Sequence, residues 1–312
     1  MCQIRRGKPM GTGASPFIKW AGGKSQLLDY LINCLPPKFH TYYEPFLGGG
    51  ALFFKLSSMG KVRWAVISDL NKDLINCYLV IRDEFDALLS RLEYYQKHVR
   101  EKDFFYEVAR PMFNKIKLKT GLERNVEKAA LLIYLNKTCF NGLYRVNSRG
   151  EFNVPWGRYE KPSLYDLENL NAVKKALGNQ ENVVIKCCDY REAVKDAQEG
   201  DFVYFDPPYQ PLKKTSSFTQ YTSDSFSEED QRALADTFRE LDRRGCSVML
   251  SNSYSPLIEA LYTDYLTKGQ LTVAMASRAI SCIGNGRGKI PEYIIYNYEV
   301  PVSGEESTYR LP

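Results

Sequence analysis

Asp206-Pro207-Pro208-Tyr209 follows directly on the apolar run Phe202-Val203-Tyr204-Phe205. The run reads as a buried strand, and in an open α/β sheet ligands bind just past the carboxyl ends of the strands. The tetrapeptide therefore sets a carboxylate, a stiff turn and an aromatic ring at a reactive rim. Neither proline carries an N–H and both have a fixed φ, so the surface presents oxygen acceptors without backbone donors. Such a surface suits the holding of an –NH2 group. An aromatic exocyclic amine is a weak nucleophile because its lone pair is delocalised into the ring. The Asp206 carboxylate and the Pro207 carbonyl can accept both of its protons and draw the nitrogen toward tetrahedral geometry, while Tyr209 stacks on the ring. Contacts of this kind favour the transition state over the ground state. The bland alternative is a proline-rich turn that merely ends a strand.

A second segment, Glu44-Pro45-Phe46-Leu47-Gly48-Gly49-Gly50, follows Tyr42-Tyr43 and precedes the helix-like stretch Leu52 to Leu56. Glycines at a strand-to-helix turn let the backbone approach a cofactor closely. Phosphate cofactors and plain tight turns use glycine in the same way, but neither GxGxxG nor Walker spacing is present. The next strand, Val62 to Ser68, ends at Asp69, about 20 residues past the glycines, where a carboxylate accepts from ribose hydroxyls. A ribosyl cofactor held without a phosphate loop points to S-adenosylmethionine rather than NAD or ATP. In Pro16-Phe17-Ile18-Lys19-Trp20-Ala21-Gly22-Gly23-Lys24, the indole could pack against an adenosyl or sulfonium group; an N-terminal strand with a turn would read alike. Lys137 to Arg158 interleaves Lys137, Arg145, Arg149 and Arg158 with Phe, Tyr, Trp and Asn, against the single acid Glu151. Arg reads guanine, Asn reads adenine and aromatics wedge into opened base steps; a solvated hairpin is the competing reading.

The elements that must position these residues fall into three zones. From Pro16 to about Asn76 short apolar strands alternate with helical stretches, a βαβ pattern. From about Cys77 to Asp166 strand signals thin out. Phe85, Leu88, Leu89, Leu92 and Tyr95 share one helix face, and Val126, Ala129, Ala130, Ile133 and Tyr134 repeat the spacing. Asn136 to Pro162 then reads as a hairpin or ordered loop. From Asn182 the βαβ pattern returns, with strands at Val183-Val184-Ile185, Phe202 to Phe205 and Val248-Met249-Leu250. A helix from Glu228 to Leu241 is entered through Ser227, with Asp230 completing a capping box, and Tyr293 to Tyr296 closes the sheet. The expected architecture is α/β: a Rossmann-like domain built from both ends of the chain, interrupted by a mainly helical insertion that carries a β-hairpin.

Composition narrows the function classes. With 312 residues, 44% apolar and 25% charged, disorder, collagen and coiled coil are excluded, and one large or two medium domains are expected. The longest apolar stretch, Ala129 to Leu135, is far short of a membrane span, and no apolar segment follows the basic N-terminus, so no secretory signal is expected. Eight cysteines without regular spacing read as buried thiols in a reducing compartment. Two histidines exclude histidine-rich metal sites, and no metal is expected. A net charge of +5 with 13% aromatic residues permits nucleic-acid binding without requiring it.

Taken in order, these motifs resemble those of the Dam-type adenine-N6 DNA methyltransferases, in particular the branch that methylates GATC. The resemblance runs from about Pro16 to Tyr298 and leaves only residues 1–15 as an extension. It rests on Phe-Ile-Lys-Trp-Ala-Gly-Gly-Lys, Glu-Pro-Phe-Leu-Gly-Gly-Gly, Asn-Gly-Leu-Tyr-Arg-Val-Asn and Tyr-Phe-Asp-Pro-Pro-Tyr, with Phe152 to Tyr159 and Leu250-Ser251-Asn252 in support. It implies that residues 16–74 and 166–312 form a discontinuous S-adenosylmethionine-binding catalytic domain and 75–165 a DNA target-recognition domain. Trp20, Lys24, Asp69 and Asp206 would bind the cofactor, with Glu44, Phe46 and Gly48 shaping the pocket and Asp189 near the cofactor adenine. Arg145 and Leu143 would read bases, Pro155 a flanking pair and Lys19 the first guanine, while Phe140 and Asn141 fill the space left by a flipped adenine. Phe140 stands where related sequences often carry Tyr, and Lys137 replaces a common Arg, keeping charge while losing bidentate phosphate contact.

The function so implied is adenine-N6 methylation of duplex DNA, within GATC, catalysed by Asp206, Pro207 and Tyr209. Lys213, Lys214, Arg287 and Lys289 would hold phosphates, and Thr215 to Ser225 would close over the extruded base. A monomer in a prokaryotic or phage-like cytoplasm is expected, paired with a cognate restriction endonuclease without a stable complex. The same fold also carries RNA and protein-glutamine N-methyltransferases, and a catalytically silent DNA-binding regulator is a further alternative.

Overall fold

The computed structural model describes residues 13–178, 181–209, 226–277 and 289–300. Its strands are β1 (Thr41–Glu44), β2 (Trp64–Ser68), β3 (Val183–Lys186), β4 (Phe202–Phe205), β5 (Ser247–Ser253), β6 (Leu271–Ser277) and β7 (Lys289–Tyr296). They form one sheet in the order β3-β2-β1-β4-β5-β7-β6. Strands β1 to β5 pair in parallel, and β7 runs antiparallel to both β5 and β6. The helices are α1 (Leu28–Asn33), α2 (Ala51–Ser58), α3 (Lys72–Asp83), α4 (Phe85–Gln96), α5 (Arg110–Lys115), α6 (Val126–Thr138), α7 (Leu167–Leu177), α8 (Tyr190–Ala193), α9 (Glu228–Arg243), α10 (Pro256–Leu261) and α11 (Thr263–Leu266). This is the Rossmann-like α/β architecture with a helical insertion between β2 and β3.

Alternation along the strands builds two cores. Tyr42 of β1 and Phe202 and Tyr204 of β4 face the first, which also holds the buried faces of α2, α3, α4, α6 and α7. Tyr43, Val203 and Phe205 face the second, with Leu234, Ala235, Phe238 and Leu241 of α9. A period of two then carries Glu44 and Asp206 onto the side of the first core. The register sets Tyr42 opposite Phe202 and Tyr43 opposite Val203, so the two carboxyls emerge from neighbouring strand ends. The strand order turns outward in both directions from the β1/β4 pair, which makes it the crevice-forming switch point of an open sheet.

The insertion packs on the first-core side. Helix α3 crosses the expected boundary at residues 74 and 75 unbroken and packs on both α6 and α7, so the insertion shares a continuous core with the sheet. Phe104–Ala109 forms a π-helical stretch ahead of α5. Three details differ from the sequence reading. The expected closing strand, β7, sits inside the sheet, and β6 is the edge. Helix α6 runs to Thr138, taking in the start of the expected hairpin. That hairpin is reduced to two antiparallel bridges, Cys139 with Trp156 and Val146 with Phe152.

The Ser227–Asp230 capping box is formed. Cys34, Cys77, Cys139 and Cys246 are buried, whereas Cys187 and Cys188 are half-buried. Residues 1–12, Lys213, Lys214, Thr215 to Ser225 and Arg287 lie outside the described residues, and of Lys289 only the backbone is described. Among the described residues, no helix is long and apolar enough to cross a membrane.

Candidate active site

A cavity of about 590 Å³ opens at the carboxyl ends of β1 and β4, lined by Trp20, Lys24, Glu44, Gly48, Asn141 and Asp206, among others. Its volume suits a nucleoside-sized ligand. The glycine turn is built around Gly48 and Gly50, whose φ angles are +49° and +70°. A Cβ on Gly48 would stand 2.9 Å from Trp20 Cδ1, so only glycine lets the turn lie this close to the indole. Asp69 holds that turn: its Oδ2 accepts from Gly48 N at 3.0 Å and its Oδ1 from Asn71 N at 2.9 Å. Burial raises its carboxyl above the ordinary range, opposed by these amide bonds.

Asp206 receives the buried Lys24 ammonium at 2.8 Å, and Lys24 Nζ also donates to Gly22 O at 2.8 Å. Burial pushes the Asp206 carboxyl up to about 6, with Lys24 acting in the opposite direction. Glu44 lies deeper. Its Oε2 accepts from Tyr42 OH at 2.8 Å and from Phe53 N at 3.1 Å, yet burial pushes it up to about 8. Tyr209 donates its hydroxyl to Glu292 Oε2 at 2.7 Å, and Lys24 Nζ sits 4.5 Å from its ring centroid. Burial beside Asp206 and Glu292 keeps that phenol protonated. Pro208 O takes Gln231 Nε2 at 3.2 Å, and Gln231 is held in turn by Asn252 at 2.9 Å. Among the described residues, no donor is seen on the Pro207 carbonyl.

The segment expected to read DNA borders the same cavity. Asn141 lines it in a left-handed conformation at φ +55°. Phe140 is 50% exposed, and its amide donates to Pro155 O at 2.8 Å, which joins two of the expected readers. Asn136 is the stitch: its side chain accepts from Lys19 N at 2.9 Å and donates to Lys19 O and Gly142 O, both at 2.8 Å. Arg145 Nε donates to Asn153 Oδ1 at 2.7 Å, which orients the guanidinium; Leu143 is half-buried. Lys19 is exposed, with its ammonium 5.1 Å from the Tyr159 ring. Lys137 is half-buried on a second cavity with Ser163, Tyr165 and Asn169, and burial, reinforced by Lys19, lowers its pKa.

Three expected cofactor residues stand outside the cavity lining: Asp69, which acts on it through the Gly48 amide, Phe46 and Asp189. Phe46 stacks on Tyr190 at 5.3 Å, and Asp189 caps α8 while pairing with Arg191 at 2.8 Å. The residues not foreseen are Glu292, Gln231 and Asn136, while Asn252 and Asn153 lay inside quoted motifs without an assigned role. The first two carried a signal: Gln231 falls on the apolar face of α9 with Leu234, Ala235 and Phe238, and Glu292 shares strand parity with Ile294 and Tyr296.

The model of the D12 class of N6 adenine-specific DNA methyltransferases matches residues 20–275. The chain belongs to this class. It is 44% identical to the type II methyltransferase M1.LlaDCHI of Lactococcus lactis subsp. cremoris over 91% of its own length and 95% of the relative's. It is 43% identical to the type II methyltransferase M.MjaIII of Methanocaldococcus jannaschii, over 91% of its own length and 99% of the relative's. With the DNA adenine methylase of Escherichia coli K12 the identity is 34%, over 89% and 93% of the two chains. As a D12-class enzyme, the protein is an S-adenosylmethionine-dependent methyltransferase whose substrate is adenine in DNA. The cavity fits that cofactor: glycine leaves its wall open beside an indole, and two carboxyls, the buried Glu44 and the half-buried Asp206, suit a cationic ligand.

Proposed function

We propose that this D12-class enzyme methylates the adenine of GATC in duplex DNA, with Asp206, Pro207 and Tyr209 as its catalytic residues. The carrying observation is the convergence of Asp206 with Trp20, Lys24, Glu44, Gly48 and Asn141 around one cavity. The target base must leave the helix, because its amine is engaged in pairing; flipping costs a few kcal/mol. Phe140 and Asn141, both exposed and the latter on the cavity wall, fill the space the base vacates. Arg145 and Leu143 read the neighbouring bases, Lys19 the first guanine and Pro155 a flanking pair, while Lys137 contacts a phosphate. Residues 75–165 serve as the recognition domain, and 16–74 with 166–312 as the catalytic one.

Asp206 and the Pro207 carbonyl accept the two N6–H bonds and hold the lone pair toward the methyl donor. Tyr209, fixed by Glu292, packs on the adenine ring. When bound, S-adenosylmethionine would supply a methyl on a positively charged sulfur that departs with the bonding pair, and the amine nitrogen, on gaining that methyl, gives up one of its two protons through the Asp206 carboxylate to solvent. Trp20, Lys24, Glu44 and Gly48 hold the cofactor, and Asp69 keeps the glycine turn in shape. The Phe46–Tyr190 stack brings the start of α8, capped by Asp189, near that turn, so both residues extend the cofactor surface beyond the cavity. Two of the similar proteins are named type II methyltransferases. Their names support pairing with a restriction endonuclease with which this chain, acting as a monomer, forms no stable complex.

The test is transfer of radioactive methyl to a GATC duplex and to a scrambled duplex of equal composition, followed by nucleoside digestion. Label in N6-methyladenine from GATC alone is the expected result. Equal labelling of both duplexes would remove the sequence assignment, and labelling of RNA or protein in place of DNA would remove the substrate.

A further inference from the structure

Tyr144 lies between the two proposed base readers Leu143 and Arg145, yet it is buried. Its ring stacks on Trp20, with centroids 5.3 Å apart and planes inclined by 28°. Its hydroxyl donates to Asp73 Oδ2 at 2.8 Å. Asp73 stands in the first turn of α3, and its Oδ1 lies 3.6 Å from the buried Lys128 ammonium of α6. That ammonium donates to Phe113 O at 2.7 Å and Ile116 O at 3.0 Å, the carbonyls at the end of α5. Asp73 and Lys128 take no part in the chemistry proposed above. Desolvating an ammonium and a carboxylate is costly, and an apolar brace would stabilise the fold as well or better. What an apolar brace would lack is direction: the hydroxyl bond fixes the ring's angle against the indole.

We propose that Tyr144 is a positioning residue that registers Leu143 and Arg145 against the cofactor wall. Cofactor contact with Trp20 and duplex contact with the reading segment then bias the same ring, so the two ligands bind cooperatively. The inference rests on the reading of the cavity as the cofactor pocket and of Lys137 to Arg158 as the duplex-facing segment. Asn136 also joins the two segments, but through main-chain oxygens and amides, leaving side-chain orientation to Tyr144.

The test measures affinity of the full chain for a GATC duplex by fluorescence anisotropy, with and without saturating S-adenosylhomocysteine, the demethylated form of the donor. The ratio of the two affinities is the coupling factor. Wild type is expected to show a factor of about ten, within the ordinary range for linked sites. Tyr144→Ala is expected to bring it near one. Tyr144→Phe, which keeps the ring and loses the bond to Asp73, is expected to fall between. A purely structural role would lower melting temperature or both affinities and leave the factor unchanged. A factor of one in the wild type, or a wild-type factor in Tyr144→Ala, overturns the proposal. Should that variant not fold, an unchanged factor in both Tyr144→Phe and Asp73→Asn overturns it equally. Methyl transfer to duplex adenine by the wild type is scored separately; its absence would remove the underlying reading rather than the role of Tyr144.

Discussion

At the scale of single residues, the site works by burying charge in order to aim it. Asp206 is a carboxylate with one buried cation as partner, and burial lifts it to about 6. An acceptor of two N–H bonds must be ionised, because a protonated carboxyl has become a donor. Acid should therefore act on the reaction directly. The kcat/KM of the wild type is expected to fall roughly tenfold for each pH unit below about 6, since that parameter reports ionisations of the free enzyme. Asp206→Asn should lose this acidic limb; a limb that survives in the variant would assign it to another group. Glu44, pushed up to about 8 by deeper burial, is neutral near pH 7 until a cation approaches, which fits a wall residue better than an acceptor of amine protons. The tetrapeptide made the chemistry readable from sequence because its residues are contiguous. Glu292, which fixes Tyr209, comes from another strand, and Asn136 from a helix within the insertion, so no local spacing joined them to the motif.

At the scale of elements, the strand-to-helix turn after β1 is where local conformation decides the site. Gly50 caps α2 at φ +70°, and a Cβ there would meet Tyr78 OH at 2.9 Å and Phe54 Cε2 at 3.1 Å. Gly50→Ala is expected to cost at least roughly 1–2 kcal/mol from the left-handed backbone alone. Urea unfolding should show a lower midpoint with an unchanged slope; an unchanged midpoint would mean that the turn relaxes. Elements with strong period were readable beforehand: α4 and α9 from their apolar stripes, β4 from its run of four apolar residues, and the α9 cap from Ser227 and Asp230. The misplacements have physical causes. Leu271 to Ser277 alternates weakly and lies at the sheet's edge, so its pattern says little, whereas Tyr293 to Tyr296 is apolar on both faces because Ile294 and Tyr296 enter the first core and Tyr293 and Ile295 the second. Thr138 and Lys137 extend α6 into a stretch whose asparagines and glycines signal a loop. The π-helical turn before α5 has no sequence signature of its own.

At the scale of the whole molecule, one sheet face gathers both carboxyls, the cavity and the Lys137 to Arg158 segment. Alternation sends Glu44 and Asp206 to the first-core side, the strand order opens a crevice between β1 and β4, and the insertion packs over that same side through α3 and α6. The proposed cofactor wall and reading segment thus rest on one continuous core. Nothing in the alternation of one strand says which neighbour it will pair with, so the site was foreseen as motifs and became a cavity only through topology. The central claim is that oxygen acceptors at this strand end activate the adenine amine. Its most direct test is the single-turnover rate of methyl transfer by Asp206→Asn, with cofactor and duplex both saturating. Loss of the charged acceptor is expected to slow that step about 100-fold or more while leaving duplex affinity within a few-fold of wild type. A single-turnover rate equal to that of the wild type would contradict it.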